Sequence, residues 1–160
     1  MDFVKHEFPP YYDSNSKILI LGTIPSIQSR KVGFYYCHPQ NRFWEVLATI
    51  YQEAIPYTIE EKKKLLTRHH IALWDVLASC QIEGSSDQSI KNPICNDLSI
   101  VLNNSSIEKI YATGKKAYDL YQKYCYPNTK IEAILLPSTS PANAAYSIEK
   151  LINAYSQIKE

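Results

Sequence analysis

Two hydrophobic rhythms alternate along this chain. "KILILGT", Lys17–Thr23, is a short unbroken apolar run of the kind that forms a strand buried on both faces. In "NRFWEVLATIYQ", residues 41–52, Phe43, Val46, Leu47 and Ile50 recur at helical spacing. "TIEEKKKLLTRHH", residues 58–70, predicts a second helix, with Thr58 as cap and Glu61 completing a capping box. Ile71–Ala78 reads as another buried strand or a strand-to-helix junction. Beyond it the pattern predicts a helix over 97–105, a strand over 107–114 and a helix over 115–125. Residues 131–140 run from strand into loop, and 144–160 close the chain as an amphipathic helix. Strands alternating with helices predict one three-layer α/β/α domain over 1–160. Its centre is a four-stranded, mainly parallel sheet, and the first sixteen residues are an extended lead-in.

Composition adjusts this picture only slightly. At 160 residues the chain is long enough to bury a substantial core, and 45% hydrophobic with 21% charged residues is ordinary for a globular protein. Thirteen tyrosines are unusual; each offers a flat ring with a polar tip. With a net charge of +1, any basic footprint for a polyanion must be local, and Arg30, Lys31, Lys115 and Lys116 are its candidates. No basic segment leads into an apolar run at the N-terminus, and no apolar stretch is long enough to span a bilayer. A cytoplasmic protein without membrane partners is the expectation. Cys37, Cys80, Cys95 and Cys125 are widely spaced with no CxxC pair, which argues against a zinc ribbon or iron–sulfur cluster and predicts reduced thiols.

In open parallel sheets ligands bind at the C-terminal ends of the strands. Here each predicted strand runs into a polar loop: "GTIPS", "WDVLASC" followed by "GSSD", "TGKKA" and "PSTSPAN". "GTIPS" has one glycine followed by proline and lacks both phosphate-loop fingerprints, so a nucleotide-cofactor module is not expected. "TGK", Thr113–Lys115, is a weak anion contact at a helix start, or simply a solvated cap. The stretch "GFYYCHPQNRFW", 33–44, interleaves Phe34, Tyr35, Tyr36, Phe43 and Trp44 with His38, Gln40, Asn41 and Arg42. His38 is the only histidine of this constellation; His6, His69 and His70 lie outside it.

Taken in order, "GTIPS", "FYYCHPQNRFW", "LWDVLASC" with "GSSD", and "LPSTSPAN" resemble the uracil-DNA glycosylase superfamily. Within it the pattern is most similar to the hypoxanthine-DNA (deoxyinosine) glycosylase branch, and it also resembles the mismatch-specific uracil glycosylases. The resemblance implies extrusion of a deaminated base from DNA, stacking on Tyr36, for which packing in the core is the competing role, and base contacts from Gly22, Thr23, Ile24, Trp74 and Asp75. It implies DNA contacts from Pro25, Ser26, His38, Lys115, Thr139, Ser140, Pro141, Ala142 and Asn143. Most superfamily members carry Asp or Asn at the position held here by Ile24, which cannot hold a water. The hypoxanthine branch also lacks it, and there an Asn elsewhere is thought to act. Asn41 is the matching residue, and a helix cap is its competing role. Ser138 stands where uracil-specific enzymes stabilise the departing base.

Asp75 would suit acceptance of the N1–H of hypoxanthine. Alternatively it caps the following turn or pairs with Arg42. His38 is either a phosphate contact or a loop anchor, and Ser85 and Asp87 could assist or form a turn. The implied activity is monofunctional hydrolysis of the N-glycosidic bond, without cofactor or metal, by a monomer acting on DNA with a deaminated base. Uracil excision is one alternative, and a non-catalytic DNA-binding module is another.

Overall fold

Leu19, Ile20 and Leu21, within the first apolar run, are wholly inaccessible to solvent, as befits an interior strand of a parallel sheet. The computed structural model describes residues 2–84 and 86–159, which leaves Ser85 and the two ends of the 1–160 domain outside the described residues. The elements in chain order are β1 (Asp2–Lys5), β2 (Ile18–Gly22), α1 (Ile27–Val32), α2 (Phe43–Ile50) and α3 (Ile59–Arg68). There follow β3 (Ile71–Asp75), β4 (Leu77–Ile82), β5 (Lys91–Cys95), α4 (Ser99–Leu102) and β6 (Lys109–Thr113). The chain closes with α5 (Lys115–Leu120), α6 (Tyr126–Thr129), β7 (Ala133–Leu136) and α7 (Ile148–Tyr155).

The central sheet has the order β3-β2-β6-β7, and all three pairings are parallel. From β2 the chain moves outward to β3 on one side, and from β6 outward to β7 on the other. Right-handed crossovers therefore put α2 and α3 on one face and α5 on the opposite face. The closing helix α7 packs back on α2. Thr58 and Glu61 form the reciprocal box at the start of α3 that the sequence predicts.

Five expectations need correction. The lead-in is not merely extended: β1 pairs antiparallel with β4, and β4 pairs antiparallel with β5, giving a second sheet of order β1-β4-β5. The predicted strand over 71–78 divides at Val76 into β3, which belongs to the parallel sheet, and β4, which belongs to the small one. The Val76 and Leu77 N–H groups donate to the Gly22 and Thr23 carbonyls, so the divide is stitched to the end of β2. The helix expected over 97–105 is a single turn, and the one over 115–125 ends at Leu120 and continues through a π-helical turn, Tyr121–Cys125. Likewise the closing helix starts only at Ile148, where the Ser147 hydroxyl accepts from the Lys150 N–H. Among the described residues no helix is long and apolar enough to cross a membrane.

Candidate active site

The ends of β2 and β3 lie side by side, with Gly22 and Asp75 as register partners. A Cβ on residue 22 would sit 2.5 Å from Asp75 Oδ1 and 3.3 Å from the Tyr36 hydroxyl. Glycine is therefore required here by space: the carboxylate occupies the volume a side chain would fill. Around this point opens a cleft of about 710 Å³, inside the range of small-molecule sites. Gly22, Thr23, Ile24, Pro25 and Ser26 from the first loop line it, together with Tyr36, His38 and Asn41 from the aromatic stretch. Asp75 and Thr113 add further strand-end groups, Asp87 enters from the connection between β4 and β5, and Ser138, Thr139, Ser140, Pro141 and Ala142 close the far side.

Tyr36 takes a left-handed backbone conformation, φ 53°, which turns its ring flat against Phe43 at 4.0 Å between centroids and 13° between planes. Its hydroxyl makes only a long contact, 3.4 Å, with Thr113 Oγ1. Burial, and then the Asp75 charge, push the Tyr36 phenol well above its ordinary range, so it stays protonated. The Asp87 carboxyl is raised by burial; Lys116 opposes this and Asp75 adds to it.

Asn41 answers the cap-or-chemistry question in an unexpected way. Its Oδ1 accepts from the Phe43 N–H at 2.9 Å, a turn bond across the N-cap residue Arg42 onto the first residue of α2, and from the Thr139 hydroxyl at 2.7 Å. Two donors fix the amide plane, while among the described residues the Nδ2 group has no partner. Arg42 next to it ties the second loop down. Its guanidinium donates to the carbonyls of Ser140 (3.1 Å), Asn143 (3.2 Å) and Tyr146, and its own N–H donates to the Thr139 carbonyl. The two motif loops are thus one rigid unit, held by neighbouring residues of one segment. In the second loop the Ser138 Oγ accepts from the Ser140 N–H, which leaves its proton free to donate.

Several expected residues stand outside the cleft or are committed to other partners. Trp74 is in the core, on the buried interior of β3, and not in the cleft. Thr139 lines the cleft but is 2% exposed and spends its proton on Asn41, so it braces Asn41 instead of reaching a phosphate. Asn143 donates from Nδ2 to the Ser138 carbonyl and shapes the loop from within. Lys115 pairs with Asp119 at 2.8 Å, one helical turn on, and does not line the cleft. Ser26 caps α1 by accepting from the Ser29 N–H. His38 is exposed at the rim, and its Nδ1 accepts from the Gln40 N–H, the loop-anchor geometry.

The largest surprise is His6. The residue lies outside the motif constellation in sequence, yet its Nε2 sits 2.8 Å from Asp75 Oδ2, with both side chains almost fully buried. Asp75 therefore pairs with His6 and not with Arg42. No local signal in "DFVKHEF" points to this contact, which depends on the long-range pairing of β1 with β4.

Comparisons with known proteins agree with this fold. A family model described as "Uracil DNA glycosylase superfamily" matches residues 9–158. A protein of Methanosarcina acetivorans named "Hypoxanthine DNA glycosylase" is 35% identical over 148 residues, 90% of this chain and 91% of that protein. A protein of the same name from Methanosarcina barkeri is 36% identical over 115 residues, 71% of this chain and 73% of that one. Among solved structures, the solution NMR structure of a "putative Uracil DNA glycosylase" from Methanosarcina acetivorans matches with a TM-score of 0.79 and 31% identity. It covers 96% of this chain and 97% of that one.

Proposed function

Because the chain belongs to the uracil DNA glycosylase superfamily, a group of DNA glycosylases, we propose that it excises hypoxanthine from deoxyinosine-containing DNA by hydrolysing the N-glycosidic bond. The observation that carries recognition of an N–H base edge, as against adenine, is Asp75 Oδ1. It faces the cleft at the end of β2, and among the described residues it has no donor. Hypoxanthine presents an N1–H to such an acceptor. Adenine presents a lone pair at the same atom and would be repelled. Guanine shares the N1–H edge, so its exclusion falls to its C2 amino group. The relatives named hypoxanthine DNA glycosylase, matching at 35% and 36% identity, support the same reading.

In this proposal the extruded base stacks on the face of Tyr36 opposite Phe43, as bases do on aromatic platforms. Bond breaking builds oxocarbenium character on the sugar and negative charge on the purine. The free Ser138 proton is placed to meet that charge, and donors aimed at developing charge are among the strongest catalytic terms. The Asn41 Nδ2 group holds the attacking water. Such a water needs little activation, since an oxocarbenium ion is a strong electrophile. His38, Pro25, Ser140, Pro141 and Ala142 form the DNA-facing rim. The enzyme acts as a cytoplasmic monomer without a cofactor.

A uracil reading deserves a place beside this one, because Asp75 Oδ1 would accept the N3–H of uracil equally well. A single-turnover assay on inosine-, uracil- and xanthine-containing oligonucleotides, with alkali to cleave abasic products, separates them. Faster cleavage at inosine than at uracil is expected. Cleavage at uracil alone would replace the substrate, and no cleavage of any would leave a DNA-binding module.

A further inference from the structure

We infer that His6, delivered by the N-terminal strand, is a positioning residue for base recognition: it holds Asp75 as a hydrogen-bond acceptor and takes up part of its charge. This rests on the reading of Asp75 given above. The contact is built by the small sheet. Lys5 pairs with Ser79 at the end of the β1–β4 ladder, and the His6 N–H then donates to the Ala78 carbonyl at 2.7 Å. The imidazole is clamped between Phe8, 4.6 Å between ring centroids, and Tyr35, 5.9 Å. Tyr35 is itself tied back to the lead-in through its hydroxyl, which donates to the Pro9 carbonyl. His6 Nδ1 is buried with no partner among the described residues. The tautomer with the proton on Nε2 satisfies Asp75 and leaves no buried donor orphaned at Nδ1.

Why a carboxylate in this cleft needs a partner follows from the chemistry. A bare negative charge beside the base would oppose the charge that builds on the purine as the bond breaks. Nε2–H occupies one lone pair of Oδ2, draws charge toward itself and fixes the rotation of the carboxylate. Oδ1 is then held over Gly22, facing the N1–H edge. A buried charge-assisted hydrogen bond of this kind is strong and directional. The lead-in is therefore part of the recognition apparatus, although it carries none of the four motifs.

The test combines three variants of His6 with one of Asp75 in single-turnover excision of hypoxanthine, with melting curves for each protein. His6→Phe keeps a ring between Phe8 and Tyr35 but has no N–H, and a rate loss of about tenfold is expected. His6→Gln, whose amide nitrogen reaches as far as Nε2, should restore most of the rate. His6→Asn, too short to reach, should not, and it serves if His6→Phe does not fold. In an Asp75→Asn background, His6→Phe should add less than about a twofold loss, because the two residues act as one unit. A His6→Phe loss of equal size in both backgrounds, or no loss while Asp75→Asn is impaired, overturns this inference alone. If Asp75→Asn excises hypoxanthine at the wild-type rate, the base-reading role of Asp75 falls first.

Discussion

The parallel and antiparallel sheets meet at Asp75, where β3 passes into β4 within two residues, yet they are built on opposite terms. All five residues of β2 and of β3 are buried, whereas β1 buries only Val4 and no residue of β5 is fully buried. The parallel sheet owes its place to the hydrophobic effect acting on both faces. In the small sheet only the central β4 is anchored by burial, through Leu77, Cys80 and Ile82; its flanks β1 and β5 are held mainly by backbone pairing. Its consequences for the site are nevertheless specific, since it brings His6 to the carboxylate. A heavily buried frame supplies the strand ends and two loops; the lightly buried outer strand of the small sheet sets the state of one of their side chains.

The sharpest way to probe the frame side of this contrast is Asn41. Asn41→Asp keeps the oxygen that accepts from Phe43 and Thr139 and replaces only the free amide nitrogen. Single-turnover excision should fall by about 100-fold or more with an unchanged melting curve, since Asp caps helices as well as Asn. Asn41→Ala should lose the same rate and also about 0.5–2 kcal/mol of stability. A rate preserved in Asn41→Asp would show that the amide N–H groups do no chemistry.

Tyr36→Ala should weaken productive binding of the flipped base by ~1–3 kcal/mol. Tyr36→Phe should be nearly silent, because the hydroxyl contact is long. Fluorescence titration with inosine DNA reads both; an unaffected Tyr36→Ala would remove the stacking floor. Arg42→Lys replaces a planar fork, whose two terminal nitrogens reach three carbonyls, by a single ammonium point, so about 1–2 kcal/mol should be lost, with faster amide exchange over 140–146. Uniform exchange in the two proteins would mean the loop is held otherwise.

The small sheet should respond differently. Val4→Ala removes two buried methyl groups for about 1.6 kcal/mol and should slow excision through His6, although the residue does not line the cleft. Its neighbour Phe3, 67% exposed, is the control: Phe3→Thr should change stability by no more than about 0.5 kcal/mol and leave the rate alone. Equal effects from the two would erase the distinction between the faces of β1.

The same contrast explains what the sequence made legible. "KILILG" and the alternation behind it predict the parallel sheet because burial on both faces leaves an unbroken apolar run. The cleft-lining residues Tyr36, Asn41, Asp75 and Ser138 sit in motifs, so resemblance reaches them. "DFVK" and "KNPIC" bury too little for periodicity to register, and β5 even carries a proline, so both strands escaped the pattern. Trp74 and Thr139 were misplaced for a shared reason: motif membership does not say which way a side chain points. Along β3 successive residues face opposite ways, so the residue next to Asp75 turns into the core. His6 had no local signal at all, because only the β1–β4 register brings it to Asp75.

The most direct measurement is chromatographic detection of the free base released from two duplexes that differ only in carrying inosine or adenine at one position. The wild-type protein should release hypoxanthine and no adenine, and Asp75→Asn should release hypoxanthine at least about tenfold more slowly, as expected when a buried acceptor matched to N1–H is altered. Absence of free hypoxanthine from the wild-type reaction, or an undiminished rate in Asp75→Asn, would contradict the account.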